Sequence, residues 1–352
     1  MAEITENIKT EFNGKRILIT GVAGTVGSAL ARAVTVAEPK SIIGVDNSEA
    51  DLFDLERQLG SEFSAVLGDI RDAKRMSKVI SAGIDVVFHA AALKHVPMCE
   101  RNPLEAVRTN LQGLQNVIDA SIAARIPKFV FTSTDKAVNP TNVMGASKLM
   151  GEQLVRAANI ESSEQIFSTT RFGNVLGSSG SVVPIFAEQI IQGGPITLTS
   201  SEMSRFVMTL DDAVSLVLGA SSIAKGGEIF VTKMRSIGVL TLARTMIRII
   251  APQYGIDADD IEIREIGPRP GEKSYEELMT DEEVRRTIEL KEYFVIFPAL
   301  TDLYSSRDSA YPDLVDSEVS RPYTSKTESV LNEVDLARYL EESGALDQWR
   351  GN

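Results

Sequence analysis

Residues Lys15–Val34 read KRILITGVAGTVGSALARAV, and they decide the fold. The apolar run KRILIT predicts a buried strand, and TVGSALARAV has its apolar residues at helical spacing. Between the two, Gly21, Gly24 and Gly27 stand where the chain must turn sharply, approach a pyrophosphate and pack a helix against a sheet. This order of strand, glycine turn and helix predicts a dinucleotide site at the helix N-terminus.

The rest of the first half repeats the alternation of strand and helix. Helical spacing is clear between the strands, for example over Val107–Ala124. Strands that are apolar nearly throughout, separated by helices, indicate a parallel sheet that is covered on both faces. The predicted strands are Lys15–Thr20, Ser41–Val45, Phe63–Leu67, Asp85–His89 and Lys128–Thr132. The predicted fold class is therefore α/β, a doubly wound Rossmann sheet with a smaller C-terminal substrate lobe.

The alternation of strand and helix patterns stops after about Asn174, and Gly and Ser cluster at Gly177–Ser181. We predict a Rossmann domain over residues 1–174, to which residues 205–235 return. Residues 175–204 and 236–300 are predicted to form the substrate-binding lobe, folded over the cleft. Residues 301–352 are predicted to form a C-terminal extension, loop-like over 300–330 because that stretch lacks periodicity.

Composition excludes several classes of function. The 352 residues carry a formal net charge of -13, which argues against general nucleic-acid binding. No apolar run approaches the roughly 20 residues of a membrane span, and the N-terminus lacks the pattern of a signal peptide. Cys99 is the single cysteine, which excludes an internal disulfide. The sequence therefore predicts a soluble cytoplasmic protein.

An acidic residue ends the second predicted strand. Asp46 is placed to accept hydrogen bonds from the adenosine ribose and to repel a 2′-phosphate, and Asn47 with its two successors supplies no cation. NAD is therefore favoured over NADP. Asp69 and Ile70 follow the third strand, where the adenine edge is expected, although Asp69 suits a helix cap equally well.

Longer motifs resemble the extended short-chain dehydrogenase/reductase family. They are the GxxGxxG spacing, His89–Ala92 after strand four, Asn110, and a Ser/Thr–Lys pair after strand five. The segment Thr132–Lys148, TSTDKAVNPTNVMGASK, is similar to UDP-N-acetylglucosamine 4,6-dehydratases of the polysaccharide-biosynthesis group. Further resemblances lie at Leu93–Pro97, Arg171–Val175, Gly180–Pro184, Ser204–Phe206 and Arg269–Lys273.

The resemblance implies a cofactor and a reaction. The implied cofactor is NAD, and its contacts are Gly21, Gly24, Thr25, Val26, Gly27, Asp46, Asn47, Asp69, Ile70, Ala90, Ala91, Ala92, Asn110 and Lys148. Hydride leaves C4 of the hexose, water is eliminated across C5 and C6, and hydride returns to C6. Asp135 is implied as the acid at the C6 oxygen, Lys136 as the base at C5, and Thr134 as the contact to the C4 hydroxyl.

One position departs from much of that superfamily. Met144 stands four residues before Lys148, where a catalytic Tyr is usual, and Met cannot take a proton. A subset of the sugar dehydratases resembles this chain in carrying Met there. Lys148 is still implied to hold the nicotinamide ribose. The base for C4 oxidation stays open among Thr134, Lys136 and a water molecule.

The implied substrate is a nucleotide sugar, most simply UDP-N-acetylglucosamine, used for surface glycan biosynthesis. Its expected contacts are Lys94, Met144, Asn174, Ser181, Arg205, Arg269 and Glu272, with both arginines at the diphosphate. The two histidines lack partners at ligand spacing, so no metal site is predicted, and Cys99 is predicted to be a bystander in a loop. The family habit implies a homo-oligomer.

Two other functions fit parts of the pattern. A nucleotide-sugar epimerase shares the fold, the cofactor and C4 oxidation, but it needs no acid at C6, so Asp135 and Lys136 weigh against it. A non-catalytic dinucleotide-binding protein is suggested by the missing Tyr, but it has no reason to keep Thr134, Asp135, Lys136 and Lys148 together.

Overall fold

The structure is a computed structural model that describes residues 8–349, except 82, 163, 179, 268–270 and 300–310. The chain forms two units. Unit 1 takes the described residues of Met1–Phe172, Ala213–Lys233 and Met279–Pro322. Unit 2 takes those of Gly173–Asp212, Met234–Leu278 and Tyr323–Asn352.

Strands and helices alternate along the first half of the chain, as predicted. The strands are β1 (Arg16–Thr20), β2 (Ser41–Asp46), β3 (Phe63–Leu67), β4 (Val86–His89), β5 (Lys128–Thr134), β6 (Ile166–Phe172), β7 (Asn174–Val175), β8 (Ile196–Leu198), β9 (Ser204–Met208), β10 (Ile229–Thr232), β11 (Arg235–Gly238), β12 (Ile263–Glu265), β13 (Thr287–Leu290), β14 (Tyr293–Ile296) and β15 (Leu314–Asp316). The α-helices are α1 (Thr25–Thr35), α2 (Glu49–Leu59), α3 (Ala73–Ile80), α4 (Val96–Arg101), α5 (Pro103–Ala106), α6 (Leu114–Ala123), α7 (Val143–Glu161), α8 (Val182–Ile191), α9 (Leu210–Ile223), α10 (Val239–Ile250), α11 (Asp281–Val284) and α12 (Glu333–Glu342). A π-helix covers Val107–Gly113, and a 3₁₀ turn covers Asp135–Ala137.

Unit 1 is built on a ten-stranded sheet with the order β15-β13-β14-β10-β6-β5-β4-β1-β2-β3. Neighbouring strands from β10 to β3 in that order are parallel. The strands β14, β13 and β15 extend the sheet in antiparallel pairing. The parallel part, with helices in its crossovers, confirms the predicted α/β doubly wound class.

The central strands of this sheet are buried because both faces are covered. The side chains of Ile17, Leu18 and Ile19 in β1 are fully buried, as expected for a strand without a solvent face. One covering layer packs α3, α6 and α7 against β1, β4, β5 and β6. Phe129 and Phe167 stack within it, with ring centroids 5.2 Å apart. This packing fixes where each central strand ends, and so where the residues after it lie.

Unit 2 has its own core between small sheets and helices. The sheets have the orders β11-β9-β7 and β12-β8. Side chains of α8, α10 and α12 bury against one another and against these sheets, including Phe186, Met246 and Leu340. Leu340 belongs to α12, so the C-terminal segment is part of this core.

The predicted domain boundaries differ from these units in three places. β9, predicted to return to the Rossmann domain, pairs with β7 and β11 in unit 2, whereas β10 does join the main sheet beside β6. The segment 279–299, predicted in the substrate lobe, belongs to unit 1 because β14 pairs with β10. The predicted extension 301–352 is divided between β15 of unit 1 and α12 of unit 2.

Candidate active site

The glycine turn lies at the point where the strand order reverses, next to β4. Gly21 has φ +68°, and its amide donates to the Val45 carbonyl at 2.8 Å. A Cβ on Gly21 would lie 2.6 Å from the backbone of Ala91, and one on Gly27 would clash with the Gly21 carbonyl. Only glycine fits at these two positions. The crevice outside the carboxyl ends of β1 and β4 is where ligands bind in open α/β sheets.

The N-terminus of α1 is free of side-chain caps. Its N-cap is Gly24, which has no side chain to bond the first-turn amides of Thr25, Val26 and Gly27. These amides and the helix dipole favour an anion at this position. The turn therefore fits the pyrophosphate of a dinucleotide.

Asp46 ends β2 directly beside this turn. Its Oδ2 accepts from the Ala23 amide at 3.0 Å, and its Oδ1 accepts from the Ser48 amide at 3.1 Å. The two bonds fix the carboxylate but leave lone pairs on both oxygens for ribose hydroxyls. Asn47 is exposed next to it. The arrangement fits the adenosine ribose of NAD.

The predicted adenine contacts are only partly available. Asp69 binds Arg71 through both carboxylate oxygens, and these hydrogen bonds lower the pKa of Asp69. The helix cap proposed for Asp69 is instead Asp72, which accepts from the Arg75 amide at the start of α3. Ile70 packs into the core of unit 1, so its side chain is not at the surface.

The loop after β4 is held by a buried amide. Asn110, in the π-helix, is 2% exposed. Its Oδ1 accepts from the Leu93 amide at 2.8 Å, and its Nδ2 donates to the Leu93 carbonyl at 3.1 Å and to the Ser147 hydroxyl at 2.9 Å. Asn110 thus holds the loop that carries Ala90–Ala92. The sequence predicted that Asn110 itself contacts the cofactor. Lys94 lies exposed in the same loop.

The residues after β5 form a buried acid beside an ammonium group. Asp135 is 0% exposed, and its Oδ1 accepts from the Thr134 hydroxyl at 2.7 Å and from Lys136 Nζ at 3.0 Å. Its Oδ2 is buried and has no hydrogen-bond partner among the described residues. A buried carboxyl oxygen without a partner is costly unless something occupies that place in the working protein.

Lys148 lies on α7 and reaches β5 near the end where Asp135 follows it. It is 7% exposed; Nζ donates to the Thr132 carbonyl at 2.9 Å and lies 4.5 Å from the centroid of the Phe131 ring. Burial lowers the pKa of Lys148 to about 8. Burial, and then the charge of Lys148, lowers the pKa of His89 to about 3. His89 is therefore a neutral core residue that shares a 2.9 Å hydrogen bond with the Thr20 hydroxyl.

Met144 belongs to a packed apolar cluster. It is 3% exposed and lies with Cys99 and Ala106. The predicted substrate contact of Met144 stays a prediction, and almost none of its side chain is accessible in this structure. Cys99 is buried in α4 rather than in a loop, and burial raises the pKa of its thiol.

Unit 2 holds the other predicted substrate residues. Asn174 begins β7, and Ser181 is the N-cap of α8. The Oγ of Ser181 is buried and has no hydrogen-bond partner among the described residues. Arg269 lies outside the described residues.

Arg205 is bound to its own unit through several groups. Its guanidinium donates to the carbonyl oxygens of Ser204, Lys273 and Ser274. It also pairs with Glu272 at 3.4 Å and with Glu276 at 3.5 Å. These partners take the donors of the guanidinium in this structure, and the predicted diphosphate contact stays a prediction. Arg205 thus holds the segment that carries Glu272, and the predicted ribose contact of Glu272 stays a prediction.

Sequence reasoning missed a buried charge cluster in unit 1. Arg171 pairs with Glu152 at 2.6 Å and with Glu283 at 3.0 Å. In the sequence, Arg171 stands out only as part of the motif Arg171–Val175. The sequence feature that could have drawn attention to Glu152 is its position four residues after Lys148, which places it one turn further along α7.

The sheet order, the glycine turn at the switch point and the lysine-bearing helix after β5 define a Rossmann protein of the extended short-chain dehydrogenase/reductase class. Comparison with known sequences narrows the class. Residues 17–298 match the family described as "Polysaccharide biosynthesis protein", and the chain belongs to that family.

Individual relatives carry several names. The chain is 46% identical over 316 residues to "Uncharacterized membrane protein MJ1061" of Methanocaldococcus jannaschii, covering 87% of this chain and 95% of that protein. It is 39% identical to a "UDP-N-acetylglucosamine 4,6-dehydratase (inverting)" of Campylobacter jejuni, covering 82% and 84%. It is also 39% identical to a "UDP-glucose 4-epimerase" of Rickettsia canadensis, covering 81% and 83%. In two further curated relatives the match spans about half the length, 47% of each.

A solved structure is similar throughout. The "X-ray structure of Pen from Bacillus thuringiensis" superposes with a TM-score of 0.88 at 40% identity, covering 95% of this chain and 99% of that one. Within the part of the chain that the structure describes, none of the helices has both the length and the apolar character needed to cross a membrane.

Proposed function

We propose that this protein is an NAD-dependent nucleotide-sugar 4,6-dehydratase that acts on UDP-N-acetylglucosamine. The observation that carries the proposal is Asp135, a fully buried carboxyl group with one oxygen held by Thr134 and Lys136 and the other without a partner among the described residues. Dehydration needs an acid and a base side by side, and this pair supplies both types of group. The Campylobacter relative named as such a dehydratase supports the same reaction.

The chain offers residues for the proton transfers at C5 and C6, and the acceptor of the C4 hydroxyl proton stays open among Thr134, Lys136 and a water molecule. Bound NAD would supply the hydride acceptor for C4 and the hydride donor for C6. Thr134 would contact the C4 hydroxyl, and Lys136 would remove the C5 proton once the neighbouring ketone has made it acidic. One proton moved from the Lys136 ammonium to the Asp135 carboxylate would make Lys136 the neutral base and Asp135 the acid. Asp135 would then give this proton to the C6 hydroxyl, so that the C6–O bond breaks and water leaves. Lys136 would return its proton to C5 as hydride returns to C6. Lys148 would hold the nicotinamide ribose.

The second candidate is a nucleotide-sugar epimerase, because a relative of equal identity is named a UDP-glucose 4-epimerase. The two reactions differ in mass balance. A dehydratase converts UDP-N-acetylglucosamine to a 4-keto-6-deoxy product that is lighter by one water, whereas an epimer keeps the mass of the substrate.

Product analysis therefore decides between the two. We expect incubation with UDP-N-acetylglucosamine to give the lighter ketone, identified by mass spectrometry and by the proton spectrum of a C6 methyl group. The Asp135→Asn variant, prepared identically, serves as the control for a contaminating enzyme. A product of unchanged mass with inverted C4 would replace the dehydratase proposal by the epimerase.

Cofactor choice gives a prediction on binding alone. The carboxylate of Asp46 holds the Ala23 amide and faces the place proposed for the ribose, so replacing it removes charge-assisted hydrogen bonds. The double variant Asp46→Ser, Asn47→Arg should bind NAD about ten- to a hundredfold more weakly and prefer NADP. Fluorescence titration of cofactor-free protein measures both affinities. Asn47→Arg alone is the matched control and should still prefer NAD; equal affinity of the parent protein for NAD and NADP would contradict the assignment.

A further inference from the structure

Unit 1 contains a group of buried charged side chains. Glu152, Arg171 and Glu283 are joined in it by hydrogen bonds, and we call these three the Arg171 cluster; Arg156 and Arg286 are further cations beside them. Arg171 lies on β6 and is 1% exposed. Its Nε and Nη2 donate to the two oxygens of Glu152 at 3.0 and 2.6 Å. Its Nη1 and Nη2 donate to the two oxygens of Glu283 at 3.1 and 3.0 Å. Each carboxylate is thus held by two hydrogen bonds from the same guanidinium.

Such a cluster is expensive to bury. Burial would raise the pKa of Glu283, but the charge and hydrogen bonds of Arg171 bring it down to about 2, so the carboxylate stays ionised. Buried ion pairs can often be replaced by apolar residues without loss of stability. Stability alone is therefore a weak reason for this arrangement, and the position of Glu152 suggests another.

Glu152 is bonded to β5 close to Asp135 and lies one helical turn from Lys148. Its Oε1 accepts from the Ser133 hydroxyl at 2.6 Å, and Ser133 is the second residue before Asp135 in the chain. Glu152 also follows Lys148 by one turn of α7, on the same face of the helix. Its charge partly offsets the effect of burial on the pKa of Lys148.

We propose that Glu152 is a positioning residue, held by Arg171, that ties the turn of α7 after Lys148 to the end of β5, just before Asp135. The roles of Lys148 and Asp135 in this statement rest on the proposed function. The contacts of Glu152 do not depend on it.

Among the described residues, the groups of β4 and β5 that touch Lys148 or respond to its charge carry no negative charge. His89 on β4 is neutral, as shown above, because its pKa lies near 3. β5 contributes the Thr132 carbonyl and the Phe131 ring, which are uncharged. Within α7, Glu152 is the carboxylate that acts on Lys148. Removing the charge of Glu152 should therefore lower the pKa of Lys148.

The test is a titration of Lys148 without cofactor or substrate. Protein labelled with isotope-enriched lysine gives a side-chain resonance for each lysine, and Lys148→Arg identifies the one from Lys148. In Glu152→Gln the midpoint of Lys148 should move lower by about one pH unit. The matched control is Glu283→Gln, which removes a carboxylate from the same guanidinium without touching Ser133 or the helix face of Lys148. It should leave the midpoint of Lys148 in place.

Two results would overturn the proposal. One is an unchanged Lys148 midpoint in Glu152→Gln, and the other is an equal change in both variants, which would make the cluster a general structural element. Because no turnover is measured, this outcome is independent of whether the protein is a dehydratase.

A second variant covers the case in which Glu152→Gln does not fold. Ser133→Ala removes the hydroxyl that ties β5 to Glu152 and changes no charge. It should raise hydrogen exchange at the amides of residues 134–138 about tenfold. The control is Ser168→Ala on β6, because the Ser168 hydroxyl is buried and has no hydrogen-bond partner among the described residues. Equal exchange in the two variants would refute the link between Glu152 and the end of β5.

Discussion

Asp135→Asn should transfer hydride to NAD and then stop, so that NADH absorbance rises when substrate is added while little dehydrated product forms. The substitution keeps the size of the side chain and its contact with the Thr134 hydroxyl, but it removes the proton that the C6 hydroxyl needs in order to leave. A well-placed general acid is worth about 10²–10⁴-fold in rate. Rapid mixing with substrate, followed by quantification of product, measures both steps.

The control for this experiment is an aspartate whose role is structural. Asp72 caps α3 by accepting from the Arg75 amide, and Asn caps helices about as well as Asp, so Asp72→Asn should turn over like the parent. If Asp135→Asn also turns over like the parent, Asp135 is only a turn residue and the dehydratase proposal loses its main support.

The sequence predicted the cofactor side of the fold well because its signals are local. A glycine turn between a strand and a helix is specified within about a dozen residues, and backbone sterics alone determine where Gly21 and Gly27 are required. The strand Phe63–Leu67 has the bounds that were predicted for it, and the other predicted strands differ by one or two residues at their ends. The position of Asp46 at the end of β2 was predictable for the same reason, because Asp46 directly ends an apolar run.

Contacts between distant segments were not predictable in this way. Arg205 and Glu272 are 67 residues apart in the chain, and Arg171 and Glu283 are 112 apart. An arginine in a motif looks the same whether its guanidinium meets a ligand or the protein's own carbonyl groups. The preference of guanidinium for planar oxygen pairs, which suggested diphosphate, is equally satisfied by internal carboxylates.

The edge of the main sheet was missed for a related reason. Each of β13, β14 and β15 has only three or four residues, and no helix lies between β13 and β14. They therefore lack the alternation that identified the parallel strands. Their place in the sheet depends on antiparallel pairing, of β14 with β10 and of β13 with β14. This pairing cannot be predicted before the position of β10 is known.

Lys136→Met should abolish the step that precedes loss of water. Lys136 Nζ lies 3.0 Å from Asp135 Oδ1, and in the proposed reaction its neutral amine takes the C5 proton of the 4-keto sugar. Without that base, solvent deuterium should no longer enter C5, and product formation should fall by about 10²–10⁴-fold. Mass spectrometry and proton spectra of sugar recovered from deuterated buffer measure the exchange. Asp135→Asn should still exchange at C5, which separates the two defects.

Lys136→Arg is the matched control, and it separates the base from the charge. Arginine keeps the cation beside Asp135, but it does not give up its proton in proteins. If Lys136 is the C5 base, Lys136→Arg should lose deuterium exchange as completely as Lys136→Met, although the ion pair with Asp135 is retained. If Lys136→Arg keeps the exchange and Lys136→Met does not, the ammonium acts only by its charge, and another group removes the proton. Exchange in both variants would take Lys136 out of the reaction altogether, because neither side chain can then be the acceptor.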